Sequence, residues 1–201
     1  MDISKLNSLV ELYFKKTEEV EGKRPFLKWL KPDKRTYNWE DVTERIYKLT
    51  AKIKSLIKQG DRCLILSENR PYWLMTDIAI MNAGGISVPI FTTYSANDYE
   101  YILNDCKPSL IFLSNQNQYN KIKKFINSDV KKIISFEKIV KKDLKRKMPA
   151  CIIYTSGTSG NPKGVVLSHG GILSNCEGAV ELLETLTKKK DPVFLLSLIH
   201  I

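Results

Sequence analysis

The sequence predicts an α/β fold in which a mainly parallel sheet carries helices on both faces. Three observations predict it. From Trp39 to Phe136, short apolar runs alternate with stretches whose apolar residues recur every three or four positions. The runs are continuously apolar, as strands covered on both faces require. Residues 151–169 then set a hydroxyl- and glycine-rich turn between two further apolar runs.

Taken in order, Leu6, Leu9, Val10, Tyr13 and Phe14 place an amphipathic helix over residues 5–20, with its apolar stripe toward the main body. Residues 21–39 are extended, with Pro25 and Pro32. Val42, Ile46, Leu49, Ile53, Leu56 and Ile57 make a helical stripe over 39–59, which Gly60 should stop. A strand follows at Cys63–Leu66. A turn through Ser67–Pro71 leads to a helix over 72–82 that Pro71 is suited to start. Ile86–Ile90 is the next strand. Helices over 96–104 and 116–126 then alternate with strands over 109–113 and 132–136. Residues 137–149 are charged and poor in apolar residues, a connector and candidate subdomain boundary. Strands at 151–154 and 165–167, a helix over 172–186 and a strand over 193–198 complete the chain.

The 201 residues, 43% of them hydrophobic, suffice for a buried core. The net charge of +10 is concentrated: residues 121–147 hold eleven Lys and Arg against Asp129, Glu137 and Asp143. Apolar residues interleave with these lysines as on solvated strand and helix faces. No aromatic-lysine ladder accompanies them, so nucleic acid is not an expected partner. Weak peripheral attraction to an anionic membrane surface stays open. Cys63, Cys106, Cys151 and Cys176 are widely spaced and form no metal-ligand pattern, so they read as reduced thiols. The first sixteen residues mix acids and polar groups, unlike an export signal. The longest charge-free run, Ile78–Asn97, is broken by Gly84, Gly85 and Pro89, unlike a membrane span. The expected location is the cytoplasm.

The chemistry concentrates in Thr155-Ser156-Gly157-Thr158-Ser159-Gly160-Asn161-Pro162-Lys163-Gly164. Gly157, Gly160 and Gly164 allow positive φ and close backbone approach. Thr155, Ser156, Thr158 and Ser159 offer hydroxyls, Lys163 a positive charge, and successive amides a concave anion site. The natural guest is a polyphosphate. The Walker loop is excluded, because Pro162 stands where its second glycine belongs and Gly164 where its magnesium-binding hydroxyl belongs.

This loop closely resembles the signature of the adenylate-forming superfamily of acyl- and aryl-CoA synthetases, luciferases and peptide-synthetase adenylation domains. Lys34-Arg35-Thr36-Tyr37-Asn38-Trp39-Glu40-Asp41-Val42 resembles the phrase that begins the family's domain, with a short hairpin leading into a helix. Leu66-Ser67-Glu68-Asn69-Arg70-Pro71-Tyr72-Trp73, Asp77-Ile78-Ala79, Gly84-Gly85-Ile86-Ser87-Val88-Pro89 and Tyr101-Ile102-Leu103-Asn104-Asp105 resemble the long-chain acyl-CoA synthetases. Read as residues alone, Glu68, Asn69 and Arg70 form a capping and turn cluster. His169 reads as a helix-start residue in preference to a base.

The resemblance implies a partial N-terminal domain of the acyl-CoA synthetase-like fold, with residues 1–33 a helix and lead-in and 34–201 an incomplete AMP-binding domain. It implies that Thr155, Ser156, Gly157, Thr158, Ser159, Gly160, Lys163 and Gly164 hold the β- and γ-phosphates of ATP. Mg²⁺ would bridge phosphate oxygens, the substrate would be a fatty acid or other small carboxylate, and coenzyme A would accept the acyl group. Leu196-Ser197-Leu198-Ile199-His200-Ile201 resembles the family's Leu-Pro-Leu-Ser-His segment, with Ser197 and Ile199 departing from it. His200 carries over as a candidate catalytic residue; a histidine ending an apolar strand is equally read as a core or surface residue. The family's aromatic-Gly-x-Thr-Glu motif, ribose-binding aspartate, hinge and C-terminal domain have no counterpart, so the expectation is an N-terminal fragment that lacks its C-terminal half. The competing expectation is a non-catalytic nucleotide- or acyl-binding remnant.

Overall fold

A computed structural model describes residues 2–30, 34–126, 130–132, 145–155 and 162–184. Helix α1 (Leu9–Glu19) starts where Ser8 accepts the Glu11 amide, and buries Val10, Tyr13 and Phe14. Strands β1 (Pro25–Lys28) and β2 (Thr36–Asn38) pair antiparallel as a small hairpin. Asn38 caps α2 (Trp39–Lys54) by accepting the Asp41 amide at 2.7 Å.

The main sheet begins with β3 (Arg62–Leu66), followed by α3 (Pro71–Asn82) with Pro71 in its first position, and β4 (Ile86–Ile90). Helix α4 (Ala96–Cys106) opens on a reciprocal Ser95–Asp98 capping box. Then come β5 (Leu110–Leu113), α5 (Gln116–Ile122) and β6 (Lys131–Lys132). The hairpin β7 (Pro149–Thr155) and β8 (Lys163–Ser168) leads into α6 (His169–Glu184). The order across the sheet is β6-β5-β3-β4-β7-β8, with only the β7–β8 pair antiparallel. The α/β class with a mostly parallel sheet is as expected.

Alternation along the strands divides the core in two. Cys63, Ile65, Leu110 and Ala150 face α1, α2 and α3, where Phe14, Ile46, Ile53, Met75 and Ala79 meet them. Leu64, Leu66, Val88, Ile111 and Tyr154 face the other way, onto Tyr99 and Ile102 of α4 and Ile122 of α5. Each fully buried aliphatic side chain contributes about 1.5–3 kcal/mol, which explains why β3 is apolar on both faces.

Several boundaries differ from expectation. Helix α2 stops at Lys54, well before Gly60, because the Leu56 and Ile57 amides both turn back onto the Ile53 carbonyl. Gly60 instead takes φ +85° in the turn into β3 and donates its amide to Gly84. The helix expected over 116–126 ends as a 3-10 turn, Lys123–Phe125. The cysteines are free, as expected; Cys63, Cys106 and Cys151 are buried, and burial pushes each thiol up to about 12. Among the described residues no helix is long and apolar enough to cross a membrane. Residues 133–144 and the strand expected over 193–198 lie outside the described residues.

Candidate functional site

The signature segment is held by the β7–β8 hairpin. Its register runs Pro149↔Ser168, Cys151↔Leu167, Ile152↔Val166, Ile153↔Val165, Tyr154↔Gly164 and Thr155↔Lys163. Thr155 and Lys163 therefore stand opposite each other as the last pair before the turn, and both are exposed. β7 is parallel to β4, so this tip lies at the carboxyl edge of the parallel strands. That edge is where open α/β sheets place their ligands.

Tyr154 fixes the end of β7, and sequence reasoning assigned it no role beyond the strand. It is 2% exposed, and its hydroxyl donates to the Asp105 carboxylate at the end of α4. Burial and that carboxylate together raise the phenol above its ordinary value. Its carbonyl accepts the Tyr94 hydroxyl at 2.8 Å, and the Tyr99 hydroxyl donates to the Phe91 carbonyl at 3.0 Å. Two tyrosines thus lash the segment after β4 against β7 and α4. The available signal was the run Phe91, Tyr94, Tyr99, aromatic residues immediately beyond an apolar strand.

Gly164 is a glycine for a reason other than positive φ. It lies in β8 opposite Tyr154, and positive φ is confined to Gly60 and Gly84 among the described glycines. A β-carbon there would stand 3.1–3.2 Å from Cε1 and Cζ of the Tyr154 ring and 3.1 Å from Cγ2 of Ile152. The Tyr154 ring and Ile152 thus close that side of an otherwise exposed position. Ser156, Gly157, Thr158, Ser159, Gly160 and His200 lie outside the described residues, so the structure brings together Thr155, Lys163 and Gly164 from the predicted set.

The opposite end of the hairpin is buried. His169 begins α6, as expected; it is 1% exposed, and its Nδ1 accepts the Leu9 amide at 3.4 Å. Burial pushes the imidazole down to about 4, which suits a structural neutral histidine. Arg146 corrects the solvated-face reading of Lys145-Arg146-Lys147. Its guanidinium donates to the carbonyls of Ile3, Ser4 and Leu6 at 3.3, 3.3 and 2.7 Å, tying the start of the chain to this end.

Glu68 and Arg70 also differ from the capping cluster expected of them. Arg70 precedes α3 without a side-chain cap bond; its Nη2 meets Glu68 Oε2 at 2.6 Å. Glu68 Oε1 accepts Gln118 at 2.8 Å and Asn115 at 3.4 Å. Burial would raise this carboxyl, but bonds from Ser114, its own amide and Gln118, with the Arg70 charge, hold it down at about 2. Among the described residues no group of three His, Cys, Asp or Glu could hold a metal.

The model of the AMP-binding enzyme family matches residues 14–201. The chain belongs to the AMP-binding enzyme family. Within it, the chain is 26% identical over 211 aligned positions to a fatty acyl-CoA synthetase of Dictyostelium discoideum, covering 89% of this chain and 31% of that protein. It is 31% identical over 174 positions to a long-chain fatty acid–CoA ligase of Xenopus laevis, covering 68% of this chain and 23% of that one. The chain spans about a third of the length of the curated relatives it matches. Among solved structures, a fatty acyl-adenylate ligase from L. pneumophila superposes with a TM-score of 0.75 at 20% identity, over 90% of this chain and 34% of that one. The N-terminal subdomain of Klebsiella oxytoca NpsA superposes with a TM-score of 0.70 at 18% identity, over 84% and 44%. These likenesses establish the AMP-binding fold.

Proposed function

We propose that this chain is the ATP-gripping portion of a fatty acid–CoA ligase. The observation that carries the reading is the hairpin register, which sets the Thr155 hydroxyl and the Lys163 ammonium opposite each other at the carboxyl edge, both open to solvent. Lys163 forms no ion pair with a described residue, so its charge is available for a phosphate. Thr155, Ser156, Gly157, Thr158, Ser159, Gly160, Lys163 and Gly164 would hold the β- and γ-phosphates through hydroxyls, amides and one cation.

In such a reaction a carboxylate oxygen attacks the α-phosphorus of ATP, and the bond to pyrophosphate breaks. The sulfur of coenzyme A then attacks the acyl carbon, and AMP leaves. The work of the chain is positioning and neutralisation of the departing pyrophosphate. Mg²⁺ would screen the phosphate oxygens. The names of the relatives support a fatty acid as the carboxylate. Residues 1–33 serve as a lead-in to the AMP-binding domain, with a subdomain boundary within 137–149 and His200 beside the reacting groups. A cytoplasmic location, with weak peripheral membrane contact through the basic segment, fits the same reading.

A second reading is nucleotide or acyl binding without turnover. Palmitate-dependent exchange of labelled pyrophosphate into ATP separates the two. The protein carrying this chain together with the rest of the AMP-binding domain should exchange, and the 201 residues alone should bind ATP without exchange. Exchange by the 201 residues would overturn the claim of incompleteness. Failure of the chain to bind ATP would overturn the phosphate assignment itself.

A further inference from the structure

β7 is paired unevenly on its two sides. Toward β8 its ladder runs from Cys151↔Leu167 to Thr155↔Lys163, whereas toward β4 it meets one pair, Ser87↔Cys151. β4 itself continues to Ile90, which pairs with Leu66 of β3. Carried forward, the β4–β7 register would set Ile90 beside Tyr154, yet these two strands share no pair beyond Cys151. The end of β7, which carries the tip, therefore has a strand partner on one side only among the described residues.

What meets β7 on that stretch is the chain that leaves β4. The Tyr94 hydroxyl donates to the Tyr154 carbonyl at 2.8 Å. Tyr94 is itself held, with its ring edge-on to Phe91 at 5.3 Å and to Tyr99 at 6.2 Å between centroids. Tyr99 of α4 donates to the Phe91 carbonyl, and Lys121 of α5 donates to the Thr92 carbonyl. Residues 91–94 are thus anchored to two helices before they touch β7. The Tyr154 carbonyl and the Thr155 nitrogen belong to one planar peptide unit. A bond that fixes the carbonyl fixes that plane, and with it the point from which the Thr155 side chain leaves the strand.

We propose that Tyr94 is a positioning residue for the phosphate grip, acting through the Tyr154 carbonyl on Thr155. The role rests on the reading of the hairpin tip as the ATP site. Without the Tyr94 hydroxyl, the end of β7 keeps its β8 ladder and loses its tie to the chain after β4. Thr155 and Lys163 still face each other, but the pair swings as a unit and no longer holds a fixed place at the carboxyl edge. Binding must then supply the order that the tyrosine supplied, and affinity falls.

Tyr94→Phe removes one oxygen and keeps the ring. In calorimetric titration of the 201-residue chain, it should weaken ATP binding by about three- to tenfold. Tyr13→Phe is the control: it removes a hydroxyl bond of the same 2.8 Å length, from α1 to Thr43 of α2, and should leave ATP affinity within about twofold of wild type. Hydrogen exchange reports the contact without nucleotide. In the ligand-free chain, the amides of Ile153, Tyr154 and Thr155 should exchange at least about fivefold faster in Tyr94→Phe, with those of β3 within about twofold of wild type. Unchanged exchange at these three amides, or unchanged ATP affinity, overturns the role of Tyr94. An equal loss of affinity in Tyr13→Phe overturns it too, because the effect is then general destabilisation. A wild-type chain that binds no ATP overturns the phosphate reading and this role with it, a failure visible before any substitution is made.

Discussion

The two ends of the β7–β8 hairpin are built on opposite principles. At the tip, Thr155 and Lys163 are exposed, and the groups they present are hydroxyl, amide and ammonium. At the root, His169 is 1% exposed, Met148 accepts its amide at 3.0 Å, and Arg146 reaches three carbonyls of the first residues of the chain. Between them the Tyr154 ring lies under Gly164. Rigidity is supplied far from the tip, so the nucleotide proposed to bind there would meet donors on strands that folding has already ordered.

The comparison breaks most sharply if the middle gives way. Tyr154→Ala removes a buried ring and its bond to Asp105, and large-to-small changes of this kind cost about 3–5 kcal/mol. Urea unfolding should show that loss. A change below about 1 kcal/mol would mean that the hairpin does not stand on this ring.

Acid probes the root. His169 has its pKa held at about 4 by burial, so between pH 6.5 and 4.5 the unfolded chain binds a proton that the folded chain refuses. Stability from this group is present above pH 6.5 and falls with acidification, by roughly 2–3 kcal/mol over that window. Asp77 acts in the opposite sense: burial raises its carboxyl to about 6, so the folded chain holds a proton the unfolded one has released. The two nearly cancel, and wild-type stability should be flat from pH 6 to 4.5. Asp77→Asn should unmask the histidine and lose stability on acidification. His169→Asn should gain it. Parallel curves for the two variants would show that the root is not held by a neutral imidazole.

A smaller effect tests the middle from above. Gly164→Ala forces a β-carbon to within 3.1 Å of the Tyr154 ring, and overpacking of one methyl here should cost about 1–2 kcal/mol in urea unfolding. Full wild-type stability would return Gly164 to the role of making room for a ligand.

These differences explain what could be read from residues in order. The strands that carry the tip were legible because their signal is local: the apolar runs Cys151–Tyr154 and Val165–Leu167, set either side of a glycine- and hydroxyl-rich stretch, need no distant partner to be recognised. The alternation that builds the sheet was legible for the same reason, since each strand and helix carries its own period. The root was not. Arg146 sits between two lysines in a basic run, and its partners are some 140 positions away. Glu68 and Arg70 read as a turn, because Gln118 and Asn115 meet them only when β3 and β5 become neighbours. The end of α2 was overrun because Leu56 and Ile57 continue the apolar stripe after the backbone has turned.

The smallest effect on stability is the most telling about function. Lys163 is exposed at the tip and makes no ion pair with a described residue, so Lys163→Ala should change the urea midpoint by less than about 0.5 kcal/mol. Removing a cation from a phosphate should nevertheless weaken ATP binding by about tenfold or more, because hydrogen bonds to charged groups are worth roughly 1.5–3 kcal/mol. Calorimetric titration with ATP and with AMP separates the contributions: the loss should be large for ATP and small for AMP, which lacks the β- and γ-phosphates. An equal loss for both nucleotides would place the Lys163 ammonium at the α-phosphate. An unchanged ATP affinity would break the division of labour altogether, leaving the tip as exposed as the root is buried but with nothing to hold.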